Sequence, residues 1–437
     1  MSVRLLSTVT WRLMSPACHT VCRHLTGSHT SNRIHHKNFL GRRLLNLNDV
    51  NGLSVLYASR HQTSAPELSA VDCLDVTSPR GNLQVPYLWL RDHCRCPRCY
   101  NTKTFQKNVD ADLLIKDLTP ADVTTSRDGT VITITWKDGH QSQFTSEWIT
   151  DNFYPGTLTR GYKRRLWDRA VMESVGLPVV PFHDHMTSEA GLKQSLCNLI
   201  NYGITIVSGV EATEASTQLV SERVTYVMKT LFGEMWTFTS DVSRSDTAYT
   251  TQQLGAHTDN TYLNTPAGIQ VFHCLEHRGS GGATLLVDGF NALETLKKTD
   301  PASFEILVQT PVIHEYKEEV SSVSPGYHIS SLAPVVSLHP TSQEFVNIRF
   351  NPYDRAPLST VKPEVMHQFY TAYDKLSGII TDPRHEFWVK LTPGNVLFID
   401  NWRVLHGRAA FDGKRVMCGC YLPREEWISK SRVMGLL

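Results

Sequence analysis

Apolar and polar residues alternate strictly through Val131-Ile132-Thr133-Ile134-Thr135-Trp136, the period of a half-buried strand. Lys137-Asp138-Gly139-His140 supplies a turn, and a second strand is expected near Gln143-Phe144. Further on the period changes. Leu192, Leu196, Leu199 and Ile200 share one helical face, and Gly203 should end that helix before a strand at 204–207. A longer helix is expected with Val220, Val224, Val227, Met228 and Leu231 turned inward, stopping at Gly233. Short strands then dominate, at 269–274, 284–287, 345–350, 396–399 and 416–421, with helical inserts near 292–309 and 363–375. This pattern predicts a mainly β fold with helical inserts, a double-sheet jelly roll rather than a parallel α/β sheet. No internal repeat or phosphate-cradling glycine loop interrupts it.

Length divides this pattern into parts. A chain of 437 residues is too long for one small core. A compact β-rich domain is expected over 67–155, a basic Gly- and Pro-containing connection over 156–180, and the jelly roll over 181–437. Charge sets the first 64 residues apart. Residues 1–48 carry seven basic side chains and no acidic one, the first being Asp49. The remainder holds 36 basic against 42 acidic residues. An Arg- and Ser-rich, acid-free leader has the composition of an organellar transit peptide; the alternative is a basic arm for nucleic acid. The acidic remainder disfavours nucleic acid. No run approaches the roughly 18 apolar residues of a membrane span.

Three residues carry the most chemistry. His257 and Asp259 stand two apart in Gly255-Ala256-His257-Thr258-Asp259, and His406 lies in Leu405-His406-Gly407. Alternate residues of an extended segment point the same way, so His-x-Asp presents two ligands at once. Two imidazoles and one carboxylate on one face of Fe(II) leave three positions open, two for a 2-oxo acid and one for O2. Thr284, 27 residues after His257, and Arg415, nine after His406, each begin a strand. A guanidinium forks onto a carboxylate, and a threonine hydroxyl can share it. Taken singly, each of these has a plainer reading as a core histidine, a surface ion pair or a β-former. A mononuclear metal hydrolase could use the same ligands but has no use for the arginine. Of ten cysteines, Cys94, Cys96 and Cys99 crowd into six residues. With His140 they offer the four ligands of a structural zinc, the rival being a redox-active thiol pair.

The blocks Val85-Pro86-Tyr87-Leu88-Trp89-Leu90-Arg91-Asp92-His93-Cys94, His257-Thr258-Asp259, Gly281-Gly282-Ala283-Thr284-Leu285-Leu286-Val287-Asp288-Gly289-Phe290 and Asp400-Asn401-Trp402-Arg403-Val404-Leu405-His406-Gly407-Arg408 resemble the γ-butyrobetaine/trimethyllysine dioxygenase family of Fe(II)/2-oxoglutarate oxygenases. The resemblance runs over about residues 67–437. It implies a double-stranded β-helix, iron on His257, Asp259 and His406, 2-oxoglutarate on Arg415 with Thr284, and zinc on the cysteine cluster. It further implies ascorbate as reductant, a homodimer, and an aromatic cage of Phe232, Trp236, Tyr249 and Tyr421 for a trimethylammonium group. Such a group cannot donate a hydrogen bond and is held by aromatic faces. Phe232 departs from the tyrosine that relatives often carry. Asp246 stands where the γ-butyrobetaine branch has asparagine. A carboxylate there would pair with the α-ammonium of trimethyllysine, which γ-butyrobetaine lacks; its plainer reading is a capping aspartate. Asn351 matches a position that meets the substrate carboxylate, or else is a turn residue. The expected activity is hydroxylation of N6-trimethyllysine in the mitochondrial matrix. The alternatives are γ-butyrobetaine hydroxylation and a non-catalytic, zinc-dependent interaction module.

Overall fold

The computed structural model describes residues 72–78, 81–108, 118–154, 164–239, 250–321 and 324–437, all within the unit Ala70–Leu437. The leader predicted over 1–64 lies outside the described residues.

The alternating segment forms the strand Val131–Trp136, with Ile132, Ile134 and Trp136 buried. It pairs antiparallel with Pro120–Thr125 on one side and Gln141–Thr145 on the other. Val76 and Val85, from the hairpin Cys73–Ser78/Gly81–Pro86, join these residues with Leu90, Phe144 and Ile149 in one core. The hairpin turn at Gly139 is what sets His140 at the strand's edge.

The larger part is built on two sheets. One has six strands in the order Met235–Phe238, Lys414–Leu422, Ile269–Arg278, Asn395–Asp400, Ile204–Ser208 and Val179–Pro181. The other has four: Leu254–His257, Val404–Arg408, Thr284–Asp288 and Phe387–Val389. All pairings are antiparallel except the edge pair Val179–Pro181 and Ile204–Ser208. Leu397, Ile399 and Met417 of the first sheet pack against Leu286, Val389 and Val404 of the second, which makes the two a face-to-face sandwich. This mainly β, two-sheet arrangement is consistent with the expected jelly roll. Burying each such aliphatic side chain is worth about 1.5–3 kcal/mol.

Local chemistry explains the boundaries. Ser188 caps Glu189–Tyr202 by accepting the Gly191 N–H, and Gly203 closes it in the left-handed region at φ +73°. A Cβ at Gly203 would lie 2.6 Å from Val404, so glycine is required by packing as well. The helix expected to run to Gly233 instead ends as Glu214–Val224. Thr225 is extended, and the Met228 N–H donates to the Tyr421 carbonyl at 2.7 Å. Val227 and Met228 do pack inward, but from an extended segment that lays Phe232 against the sandwich. The insert expected over 292–309 is two helices, Gly289–Thr299 and Pro301–Gln309. Asp300 caps the second, and Pro301 has no N–H with which to continue the first.

The stretch read as a connection carries the helix Arg169–Val175 and the buried Trp167. Trp167 donates its backbone N–H to Asp288 and its indole N–H to the Tyr202 carbonyl. Asp288 also receives a two-pronged contact from Arg403, at 2.8 and 3.0 Å, with both side chains essentially inaccessible. Arg403 spends its other donors on the carbonyls of Asn201 and Arg165. This satisfied buried pair anchors the start of the strand that carries His406.

Candidate active site

His257 ends the strand Leu254–His257, and His406 lies in the adjacent strand directly opposite it in register. Their rings are 4.5 Å apart. Asp259 follows in a segment held from two sides. The Thr258 N–H donates to the Phe350 carbonyl, and the Phe350 N–H donates back to the Thr258 hydroxyl. Asn401 accepts the Asp259 N–H at 2.8 Å and donates to the carbonyls of Asp259 and Ala267, each at 3.0 Å. Asn260 then turns the chain through the left-handed region at φ +56°, one of the few non-glycine residues to do so.

The Asp259 carboxylate lies 3.2 Å from His257 Nε2 and 3.6 Å from His406 Nε2. Burial alone would raise its pKa, but His406 and His257 beside it hold it far below the usual carboxylate range. The His257 Nδ1–H is spent on the Gly255 carbonyl at 2.8 Å, which turns Nε2 toward Asp259. Ligands at right angles and about 2.1 Å from one metal ion would stand roughly 3 Å apart, so these three donors fit a shared ion on one face.

They open into a cavity of about 310 Å³ whose ends differ in character. At one end are Arg415, Arg408 and Thr284. Arg415 is buried, and burial, with Arg408 adding to it, lowers its pKa to about 10, still cationic at neutral pH. Among the described residues no carboxylate pairs with it; its guanidinium stacks on Phe411 at 5.5 Å. An unpaired buried cation facing a cavity calls for an anionic ligand. Thr284 reaches the same end from the opposite sheet.

The other half is aromatic. Phe232, Trp236 and Tyr421 line it, with Trp236 and Tyr421 centred 6.2 Å apart. Gly419 makes room for this wall, since a Cβ there would stand 2.2 Å from the Trp236 ring. Tyr316 and Tyr262, which sequence reasoning missed, complete it: Phe232 packs edge-on against Tyr316, and Tyr316 lies 5.1 Å from Tyr262. Tyr316 comes from a segment remote in sequence from the cage candidates, and Tyr262, three residues after Asp259, gains its place only by packing on Tyr316, so no local pattern marked them. Tyr421 has a second task, donating its hydroxyl to Asp259 at 2.9 Å. Asn351 lines the cavity, but its amide is committed. Its N–H groups go to the Thr258 carbonyl and Asp354, and its oxygen accepts from the backbones of Tyr353 and Asp354. These are the contacts of a turn residue that braces the metal-facing segment. Asp246 and Tyr249 lie outside the described residues. Gln270 was also missed, since its strand Ile269–Arg278 holds several other polar residues and its position alone did not mark it.

A second donor cluster forms in the N-terminal part. His140 Nε2 lies 3.2 Å from Cys94 Sγ and 3.6 Å from both Cys96 and Cys99 Sγ. All four donor atoms fall within 4.8 Å of one another. Tetrahedral zinc, with bonds of about 2.3 Å to sulfur and 2.0–2.1 Å to nitrogen, would set sulfur and nitrogen roughly 3.6 Å apart, so the donor set fits. The Asp138 carboxylate orients this turn by accepting the His140 backbone N–H and pairing with Arg91 at 3.1 Å.

Comparison with known proteins agrees with this geometry. The taurine catabolism dioxygenase TauD, TfdA family matches residues 168–421, and the γ-butyrobetaine hydroxylase-like N-terminal family matches residues 72–150. The mitochondrial trimethyllysine dioxygenase of Bos taurus is 42% identical over 86% of this chain and 90% of its own length. That of Homo sapiens is 44% identical over the same shares. The γ-butyrobetaine dioxygenase of Pongo abelii is 28% identical over 80% of this chain and 90% of its own. With the triad, the buried arginine and both family matches in place, the chain belongs to the TauD, TfdA dioxygenases and, among them, to the γ-butyrobetaine/trimethyllysine dioxygenase family.

Proposed function

We propose that the chain hydroxylates N6-trimethyllysine at C3, consuming O2 and 2-oxoglutarate and releasing 3-hydroxy-N6-trimethyllysine, succinate and CO2, the first step of carnitine biosynthesis. The observation that carries this reading is one cavity with three parts: a two-histidine, one-carboxylate face, a buried arginine with no carboxylate partner among the described residues at one end, and an aromatic wall at the other. The relatives at 42% and 44% identity support the same substrate, whereas the γ-butyrobetaine enzyme is more distant at 28%.

In this reading His257, Asp259 and His406 hold iron(II), which supplies the oxidising power to hydroxylate an unactivated C–H bond. Arg415 takes the distal carboxylate of 2-oxoglutarate, and Thr284 shares it. Trp236, Tyr421 and Phe232, with Tyr249, receive the trimethylammonium group through their π faces. Asp246 pairs with the α-ammonium, which γ-butyrobetaine lacks. Tyr421 links the two ends of the task, since the ring that walls the cation also holds Asp259 in orientation. The protein's contribution is therefore positioning, setting C3 against the open face of the metal.

Zinc on Cys94, Cys96, Cys99 and His140 is structural in this reading, because four protein ligands leave no open position. Ascorbate as reductant, a homodimeric assembly and the mitochondrial matrix complete the proposal; both mammalian relatives are named as mitochondrial. Among the described residues no helix is long and apolar enough to cross a membrane. The test is incubation with trimethyllysine, Fe(II), 2-oxoglutarate and isotopically labelled O2. One labelled oxygen at C3 supports the reading; succinate without a hydroxylated amino acid overturns it.

A further inference from the structure

Gln270 is wholly buried, and among the described residues neither end of its side-chain amide has a hydrogen-bond partner. It nevertheless faces the cavity. A buried amide left without partners is costly, so a carboxamide kept there points to a ligand that engages it.

The strand register says which ligand. Gln270 lies directly across from Tyr421, and Phe272 lies across from Gly419, over which the Trp236 ring sits. Gln270 and Phe272 therefore share the cavity face with Trp236 and Tyr421, while Ile269 and Val271 point into the opposite core. At the far end of the same two strands, Arg415 is paired with His277. Six residues of extended strand separate Tyr421 from Arg415, roughly 20 Å, which places Gln270 well away from the co-substrate's carboxylate anchor. What remains beside it is the aromatic half, and with it the substrate's cation.

Resting on the functional reading above, we propose that Gln270 is a specificity-determining residue. Its amide oxygen turns onto the N-methyl groups of the quaternary ammonium and supplies the dipole that a purely aromatic wall lacks. The positive charge of a trimethylammonium is spread over its methyl C–H groups, which make weak hydrogen bonds to a carbonyl oxygen but none to a methyl. The aromatic rings provide area and quadrupole, and Gln270 provides the preference for charge over shape.

The experiment compares wild type with Gln270→Leu, Gln270→Met and Gln270→Glu. Each is loaded with metal and 2-oxoglutarate, and binding of two ligands is measured by calorimetry: trimethyllysine and its neutral isostere with a tert-butyl group in place of trimethylammonium. The apolar variants should lose affinity for trimethyllysine by about tenfold, the scale of one charge-assisted contact, while the isostere binds as in wild type or tighter. Gln270→Glu should raise the ratio of cation to isostere affinity. Affinity for 2-oxoglutarate should not change, and Tm of the ligand-free apolar variants should rise because an unsatisfied buried amide is gone. Equal weakening of both ligands, or a weaker hold on 2-oxoglutarate, overturns the assignment. If wild type itself binds neither amino acid, the functional reading falls, a result distinct from failure of the Gln270 assignment alone.

Discussion

Arg415 is the residue on which the co-substrate half depends. A buried guanidinium without a carboxylate partner among the described residues is costly until an anion arrives. Arg415→Met should raise KM for 2-oxoglutarate by roughly 30- to 1,000-fold, about 2–4 kcal/mol, with little change in trimethyllysine affinity measured directly. His273 tests the scaffold behind the site. Its Nδ1 meets the Thr217 hydroxyl at 2.8 Å, and burial pushes its pKa down to about 4. The unfolded chain takes up that proton near pH 6.5 while the folded chain resists it. This contribution to stability is therefore complete above pH 6.5 and lost as pH falls toward 4. Tm should decline with acid across that window, and His273→Phe should flatten the slope. At this scale His257 and Asp259 were legible from their two-residue spacing and His406 from Leu405-His406-Gly407, although Asp259 lies just past the strand that His257 ends rather than within it. Tyr262, Tyr316 and Gln270 were not read, because what gives them a role is the proximity of distant segments.

The ligand segment around Asp259 is positioned by elements rather than by its own sequence. Asn401 spends its whole amide on the backbones of Asp259 and Ala267. Asn401→Ala removes those contacts and should weaken iron retention by about 1–3 kcal/mol, read as faster metal loss to a chelator, with the fold intact by circular dichroism. Of the strands carrying the site, those at 269–274, 284–287 and 416–421 were expected from short apolar runs, while Leu254–His257 and Val404–Arg408 were not assigned in advance; Val131–Trp136 was readable to its bounds. The helix expected to reach Gly233 was not, because periodicity reports only that Val227 and Met228 are buried. An extended segment bonded to the Tyr421 carbonyl buries them as well, and it is this segment that delivers Phe232 to the cavity.

At the scale of the molecule, two donor clusters of different chemistry occur among the described residues, one rich in cysteine and one without any. Soft ligands select zinc, and the His/carboxylate face suits iron(II). Elemental analysis should therefore find Cys99→Ala depleted of zinc and less stable yet still able to take up iron. Asp259→Ala should keep its zinc and lose iron-dependent turnover. The central claim, that this architecture serves trimethyllysine, is tested most directly by succinate release with Fe(II), 2-oxoglutarate and ascorbate, adding trimethyllysine or γ-butyrobetaine in parallel. Trimethyllysine should drive release, and γ-butyrobetaine should give only background. Release driven by γ-butyrobetaine would leave the iron site standing and contradict both the substrate assignment and the role given to Asp246.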